Sequence, residues 1–511
     1  MPNVLLPGSE RSMRPSSFRP AQSLSPGVVL LLATLLCAIA LPTYARPGAN
    51  LPAPVLQAFK RARIPVTHVG VLVQETGNSK PLIAWQADRP MNPASAMKLV
   101  TTFAGLAALG PTYTWKTEVY RTGVQRGDVL QGDLIIKGYG DPKLSLERFW
   151  LLLRGLRQRG IRVIRGDLVL DHGYFAVEDR FPVSFDGSPF QLYNTIPTAL
   201  LLNFKSIQVQ VLPKGKGLVQ VVTDPRPAQI EVLNQLTPTR GPCRMRNSKF
   251  GVRFHSDAAS ARITASGAYP LACGKAVYEA SLLSHAQYVY GVFRQLWGEL
   301  GGQLQGGLRE GRVPHDAARL ALSESPTVVE VVRDINKDSN NVMARQLFLT
   351  LGAEIRGPPA SPSKAFDGIQ GWFYKRGVDT EGLVMENGSG LSRMEQIATS
   401  ALGHMLLYAY SSPVMPEFIA SLPLVGVDGT MRKRLRHTPL KGRAHIKTGS
   451  LRGVKAIAGY VLNRFGRMTV VVCIINHSNA AAGTVAQDAL LRFAYDGAGP
   501  GPSPVVYGAR P

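Results

Sequence analysis

Cysteine is scarce, four in 511 residues. No C-x-x-C or H-E-x-x-H spacing occurs, so neither a thiolate zinc site nor a two-histidine metalloprotease centre is supported. None of the nine histidines accompanies a G-x-S-x-G elbow, which argues against a Ser-His-Asp hydrolase. Acidic residues are also few, 34 Asp and Glu against 58 Lys and Arg, for a net charge of +24. The basic residues are scattered and no nucleic-acid-binding motif goes with them, so nucleic acid is not the expected partner. An ordinary solvated basic surface, or loose association with an anionic membrane or wall surface, suits such an excess.

Long apolar runs are missing too, apart from one between Gly27 and Leu41 that is shorter than the ~20 residues of a membrane span. Arg11, Arg14 and Arg19 precede it, and Thr43 and Ala45 supply the small residues a signal peptidase requires. Residues 1–45 therefore read as a cleaved secretory signal ending at Ala45, with an uncleaved anchor as the alternative. Removing them, with three arginines and one glutamate, lowers the charge from +24 to +22. The expected location is periplasmic. In an oxidising compartment Cys243 and Cys273, which flank a turn-rich stretch, suit a local disulfide. Cys37 leaves with the signal, and Cys473 in "MTVVVCIIN" reads as a core thiol.

The length suggests roughly two to four domains. "VTHVGVLVQE" (66–75) and "PLIAWQ" (81–86) read as paired strands, and "NPASAMKLVTTFAGLAALGP" (92–111) as a buried helix starting after Pro93 and stopped by Gly110 and Pro111. From about 116 to 282 the texture turns to short strands, with one helix near 145–160. Helical texture then returns, and a hairpin ("AHIKTGS", "VKAIAGYVLN", "RMTVVVCIIN") and a helix near 482–496 close the chain. The expected division is 46–115 and 283–511 as two parts of one helix-and-sheet domain, interrupted by a β-rich block over 116–282.

Three short motifs carry chemistry only in combination. Ser95 and Lys98 share a helix face at spacing i, i+3, so an amine stands beside a hydroxyl. A second S-x-x-K, Ser361 and Lys364, follows "GPPA", contains Pro362 and reads as loop. Ser339 and Asn341 form an S-x-N in an interhelical turn, where a plain turn is the simpler explanation. Lys447, Thr448, Gly449 and Ser450 lie on an edge strand that could pair with an extended substrate and hold its carboxylate, or could merely guard the edge with charge.

S-x-x-K on a helix, S-x-N in a turn and K-T-G on a terminal hairpin, in that order, resemble the motifs of penicillin-recognising serine acyl-transferases, which include D,D-peptidases and class A β-lactamases. The β-rich block, with "GYGDPKLS", "LYNTIPTALLLNFKSIQVQV" and "ENGSGLSR", narrows the resemblance to the penicillin-binding protein 4 type of D-alanyl-D-alanine carboxypeptidase/endopeptidase, the class C low-molecular-mass penicillin-binding proteins. It implies an α+β fold: a serine β-lactamase/D,D-peptidase-like domain with an antiparallel sheet and helices, carrying a β-rich insertion. It also implies action on peptidoglycan stem peptides, inhibition by β-lactam antibiotics and no cofactor or metal. By the same resemblance Ser95 is the nucleophile, Lys98 its base and Ser339 a proton relay. Asn341, Lys447 and Thr448 bind substrate, and the N–H groups of Ser95 and Ser450 form the oxyanion hole. The middle residue Asn340 departs from a frequent Asp. The E-x-x-N of class A β-lactamases is missing between Asn341 and Lys447, which disfavours that rival; a non-catalytic wall-binding protein of the same fold is the other.

Overall fold

"VKAIAGYVL" and "MTVVVCIIN" are apolar at nearly every position instead of alternating, the pattern of strands covered on both faces. The computed structural model describes residues 50–179, 185–214, 217–243 and 250–497; the expected signal, 1–45, lies outside them. An antiparallel five-stranded sheet contains Val69–Glu75 (β1), Ile83–Trp85 (β2), Ala444–Leu451 (β3), Val454–Leu462 (β4) and Met468–Asn476 (β5). Its order is β2-β1-β5-β4-β3, so the two apolar strands lie inside and the K-T-G strand forms an edge. The earliest strand pairs with the last along its whole length, Val69 opposite Ile475 and Glu75 opposite Thr469.

Helices cover both faces. Phe59 of α1 (Ala53–Arg61) and Leu490 and Leu491 of α6 (Thr484–Asp496) pack on Val71, Ile457, Val471 and Cys473. Burial pushes the Cys473 thiol up to about 12, as suits a structural cysteine. The opposite face, with Leu72, Ala458, Val472 and Ile474, meets the helices α2 (Lys98–Leu109), α3 (Val328–Asp338), α4 (Asn341–Arg356) and α5 (Thr399–Tyr410). Within this layer the Asn336 side chain of α3 donates to Thr102 of α2 at 3.2 Å and to Ser421 at 2.9 Å. These bonds fix the spacing between the two helices that bring S-x-x-K and S-x-N together.

The intervening chain builds a second core around Phe149, Leu153, Leu170, Ile207, Phe293 and Trp297. Its central sheet runs 308–310, 168–171, 134–138, 116–121, 318–324. The segment from His285 to Glu324, expected in the second part of the peptidase domain, instead joins this core: its helix His285–Glu299 is buried there, and Ala318–Glu324 pairs antiparallel with Lys116–Arg121. The expected boundary at 282 therefore cuts through a packed unit, and we propose that the insertion runs from 116 to 324. Cys243 and Cys273 are disulfide-bonded, with Cα atoms 4.7 Å apart. Both cores lie within the compact unit Gly48–Pro511, and among the described residues no helix is long and apolar enough to cross a membrane.

Candidate active site

Ser95 sits in a 3-10 turn, Ala94–Met97, that runs directly into α2. The one-turn offset leaves its hydroxyl beside the ammonium of Lys98, Nζ to Oγ 3.1 Å. Lys98 Nζ also donates to Asn341 Oδ1 at 2.6 Å and to the Ser389 carbonyl. An ammonium has three hydrogens for these three acceptors, whereas a neutral amine has two. With Asn341 and Ser389 holding two hydrogens, the remaining tetrahedral position of a neutral Lys98, its lone pair, faces Ser95 Oγ. That is the geometry of a base poised on a hydroxyl.

The S-x-N turn joins α3 to α4. Ser339 caps α3 in the left-handed conformation, φ 58°. Asn340 is the N-cap of α4, its side chain accepting from Met343 N at 3.0 Å. Asn and Asp serve equally as N-caps, which gives the departure at Asn340 a physical reason to be harmless. The left-handed turn sends Ser339 toward the edge strand, where its Oγ accepts from Lys447 Nζ at 2.8 Å. Lys447 Nζ also donates to the Thr448 carbonyl at 2.9 Å, and Thr448 Oγ1 bonds Thr430 Oγ1 at 2.9 Å. Ser450 Oγ accepts from Lys455 Nζ at 2.8 Å.

Two glycines let backbone close in around Ser95. A Cβ on Gly449 would lie 2.4 Å from the Pro93 carbonyl and 3.1 Å from Ser95 N, and one on Gly390, at φ +78°, only 2.7 Å from Ser95 N. Any side chain at either position would push the edge strand or the 387–390 loop away from the serine turn.

Both lysines are completely buried. Desolvation, and secondarily the charge of Lys447, holds Lys98 well below the usual lysine range. Desolvation brings Lys447 down to about 7. Burial raises Glu395 to about 7 and lowers Arg345 of α4 to about 10. Displaced titration of this kind gathers where proton transfer is carried out.

Ser95, Lys98, Asn341, Ser339, Lys447, Thr448 and Gly449 thus meet in one bonded or close-packed cluster. Ser361 and Lys364 stand apart, and not as the loop expected. Ser361 caps the helix Pro362–Tyr374, accepting from Lys364 N at 3.2 Å. Proline is compatible with the first helical position, so "SPSK" starts a helix that it would have broken further in. Lys364 Nζ turns to the carbonyls of Gly357 and Pro359, at 3.2 and 3.0 Å, so it is not a base for Ser361. Sequence reasoning missed Ser389, Glu395, Arg345 and Thr430. "ENGSGLSR" marked the neighbourhood of Ser389, but its contribution is a backbone carbonyl, which no residue type announces.

The described fold and cluster are those of a penicillin-recognising serine acyl-transferase. The family model for the D-Ala-D-Ala carboxypeptidase 3 (S13) family matches residues 53–496. The chain is 30% identical over 443 residues to a D-alanyl-D-alanine carboxypeptidase of Actinomadura sp., covering 82% of this chain and 80% of that one. It is 25% identical to the D-alanyl-D-alanine carboxypeptidase DacB of Haemophilus influenzae, covering 80% and 85%. The crystal structure of penicillin binding protein 4 from Haemophilus influenzae has the same fold, with TM-score 0.72 at 23% identity over 86% of this chain and 98% of that one. The chain belongs to the D-Ala-D-Ala carboxypeptidase 3 (S13) family and is a serine-type D,D-peptidase.

Proposed function

We propose that the protein removes the terminal D-alanine from peptidoglycan stem peptides, or cleaves D,D-cross-links between them, in the periplasm, and that β-lactams trap it as a Ser95 ester. The carrying observation is the Lys98 amine, with two hydrogens held by Asn341 and Ser389 and its third position on Ser95 Oγ. Neutral Lys98 takes the Ser95 proton as Oγ attacks the carbonyl of the penultimate D-alanine. The N–H groups of Ser95 and Ser450 receive the oxyanion, a feature typically worth ~3–4 kcal/mol of barrier. Ser339, on its bond to Lys447, relays a proton to the departing amine as the C–N bond breaks. Asn341 holds the substrate amide, and Lys447 and Thr448 hold the terminal carboxylate. Water then opens the ester, with Lys98 again accepting a proton. Release of D-alanine from a diacetyl-lysyl-D-alanyl-D-alanine peptide, lost in Ser95→Ala, tests this reading; retained cleavage in that variant would overturn it.

Association with the anionic wall is the second part of the proposal. From Gly429 to Ala444 the chain carries Arg432, Lys433, Arg434, Arg436, Lys441 and Arg443 and no acid. Met431 and Leu440 anchor the segment in the core, and Arg434 pairs with Asp488. The other five cations are exposed, with no acidic partner among the described residues. Thr430 joins this segment to Thr448, so the basic rim borders the edge where substrate binds, and polymeric stem peptides carry many carboxylates. Salt-sensitive cosedimentation with purified sacculi is expected, and neutralising the five cations should abolish it; binding unchanged by salt or by those substitutions would refute the rim's part.

A further inference from the structure

Glu395 is fully buried and belongs to none of the three motifs. Its Oε1 accepts from the backbone N–H groups of Asn387 and Gly388, both at 3.1 Å. Those two amides open the tight loop that carries the Ser389 carbonyl to Lys98 Nζ. The same loop is tied from within, Asn387 Oδ1 accepting from Ser389 N at 2.9 Å, and from α2, where Thr101 Oγ1 donates to the Gly388 carbonyl at 2.7 Å. At its far end Gly390 lies against Ala94 and Ser95. One carboxylate therefore grips the beginning of a loop whose middle orients the base and whose end abuts the nucleophile. Oε2 has no hydrogen-bond partner among the described residues.

Burying a carboxylic acid with half of its oxygens unpaired is costly, and an uncharged amide could accept the same two N–H bonds. What only the acid supplies is negative charge, which Glu395, raised by burial to about 7, carries increasingly from neutral pH upward. The charged groups around it are Lys98 of α2 and Arg345 of α4, with Lys447 of β3 beyond Lys98 and Glu386 near Arg345. Three of the four are cations, and two of them, Lys98 and Lys447, are fully buried, where like charges repel strongly.

We propose that Glu395 is a positioning residue for the Ser95–Lys98 pair, pinning the loop that aims the Lys98 amine and offsetting the surrounding cations so that the base keeps its affinity for the serine proton. Too much cationic field would leave Lys98 neutral but weakly basic, and proton transfer follows basicity. The inference rests on the reading of Lys98 as base.

The test is the pH profile of Ser95 acylation by a fluorescent penicillin in the wild type, Glu395→Gln, Glu395→Ala and Lys98→Met, with circular dichroism confirming folding. Glu395→Gln keeps the acceptor for the two amides and removes the charge. Its acid limb should move to lower pH by at least about half a unit, because Lys98 loses a neighbour that favours its protonated form, while its plateau rate falls. Glu395→Ala should lose at least about tenfold in plateau rate from the freed loop. A Glu395→Gln profile superimposable on the wild type, with Lys98→Met inactive, would overturn the positioning role alone. Normal acylation by Lys98→Met would instead overturn the base assignment. If Glu395→Ala does not fold, Glu395→Gln decides.

Discussion

Lys447 Nζ donates to Ser339 Oγ at 2.8 Å, so the lysine of the edge strand and the serine of the interhelical turn form one bonded unit beside the separate Ser95–Lys98 pair. Two buried lysine side chains then share one site, and the repulsion between their charged forms adds to desolvation in lowering Lys98. Each half of the site has a distinct expected signature.

For Lys447 the expectation is a conflict between activity and stability. It titrates at about 7 in the fold against ~10.4 in an unfolded chain. Between those values the unfolded chain binds the extra proton, so stability rises as pH increases from about 7 to about 10, and below 7 the burial cost is present in full. Lys447→Met should flatten this slope and stabilise the protein at neutral pH by on the order of 1–4 kcal/mol, while peptidase activity falls at least about a hundredfold. Urea melts across neutral and alkaline pH, with kcat/KM on the peptide, check both halves.

Gly449→Ala is expected to be disproportionately harmful. Its Cβ would fall 2.4 Å from the Pro93 carbonyl, and backbone cannot swing aside as a side chain can. The cost should be ~1–3 kcal/mol of stability together with a loss of about tenfold or more in acylation rate. A fully active variant would show that the edge strand does not need this close approach to Ser95.

Reduction of Cys243–Cys273 should act on the insertion and leave the chemistry intact. The bond spans 30 residues, for which chain entropy gives roughly 3–4 kcal/mol. Protease susceptibility within 207–280 should rise on reduction, and penicillin labelling should stay constant. Loss of labelling would mean that the insertion's order is transmitted to the site.

The sheet was legible because two of its inner strands, Val454–Leu462 and Met468–Asn476, are apolar at nearly every position and the turn between them is short. That Ser95, Lys98, Ser339, Asn341 and Lys447 belong together was legible because the roles proposed for them rest on side chains at fixed spacing. Ser389 and Glu395 were not: one contributes a carbonyl, and the other meets the site only through tertiary contact. The extent proposed for the insertion was hidden because Ala318–Glu324 pairs with Lys116–Arg121, some two hundred residues away, and local pattern does not report such a partner. Ser361 misled because proline marks a loop and a helix start alike.

The acyl-enzyme should be long-lived with penicillin, on a scale of minutes or more. No E-x-x-N lies between Asn341 and Lys447, so the glutamate that this motif supplies to activate water against the ester is missing from that stretch. Stopped-flow hydrolysis showing many turnovers per second would assign the protein to β-lactam destruction.

Intact mass after mixing with benzylpenicillin, followed by peptide mapping, tests the central claim most directly. The account predicts one penicilloyl adduct per chain on Ser95, absent from folded Ser95→Ala. An adduct on Ser361, or a Ser95→Ala protein that still labels, would contradict it.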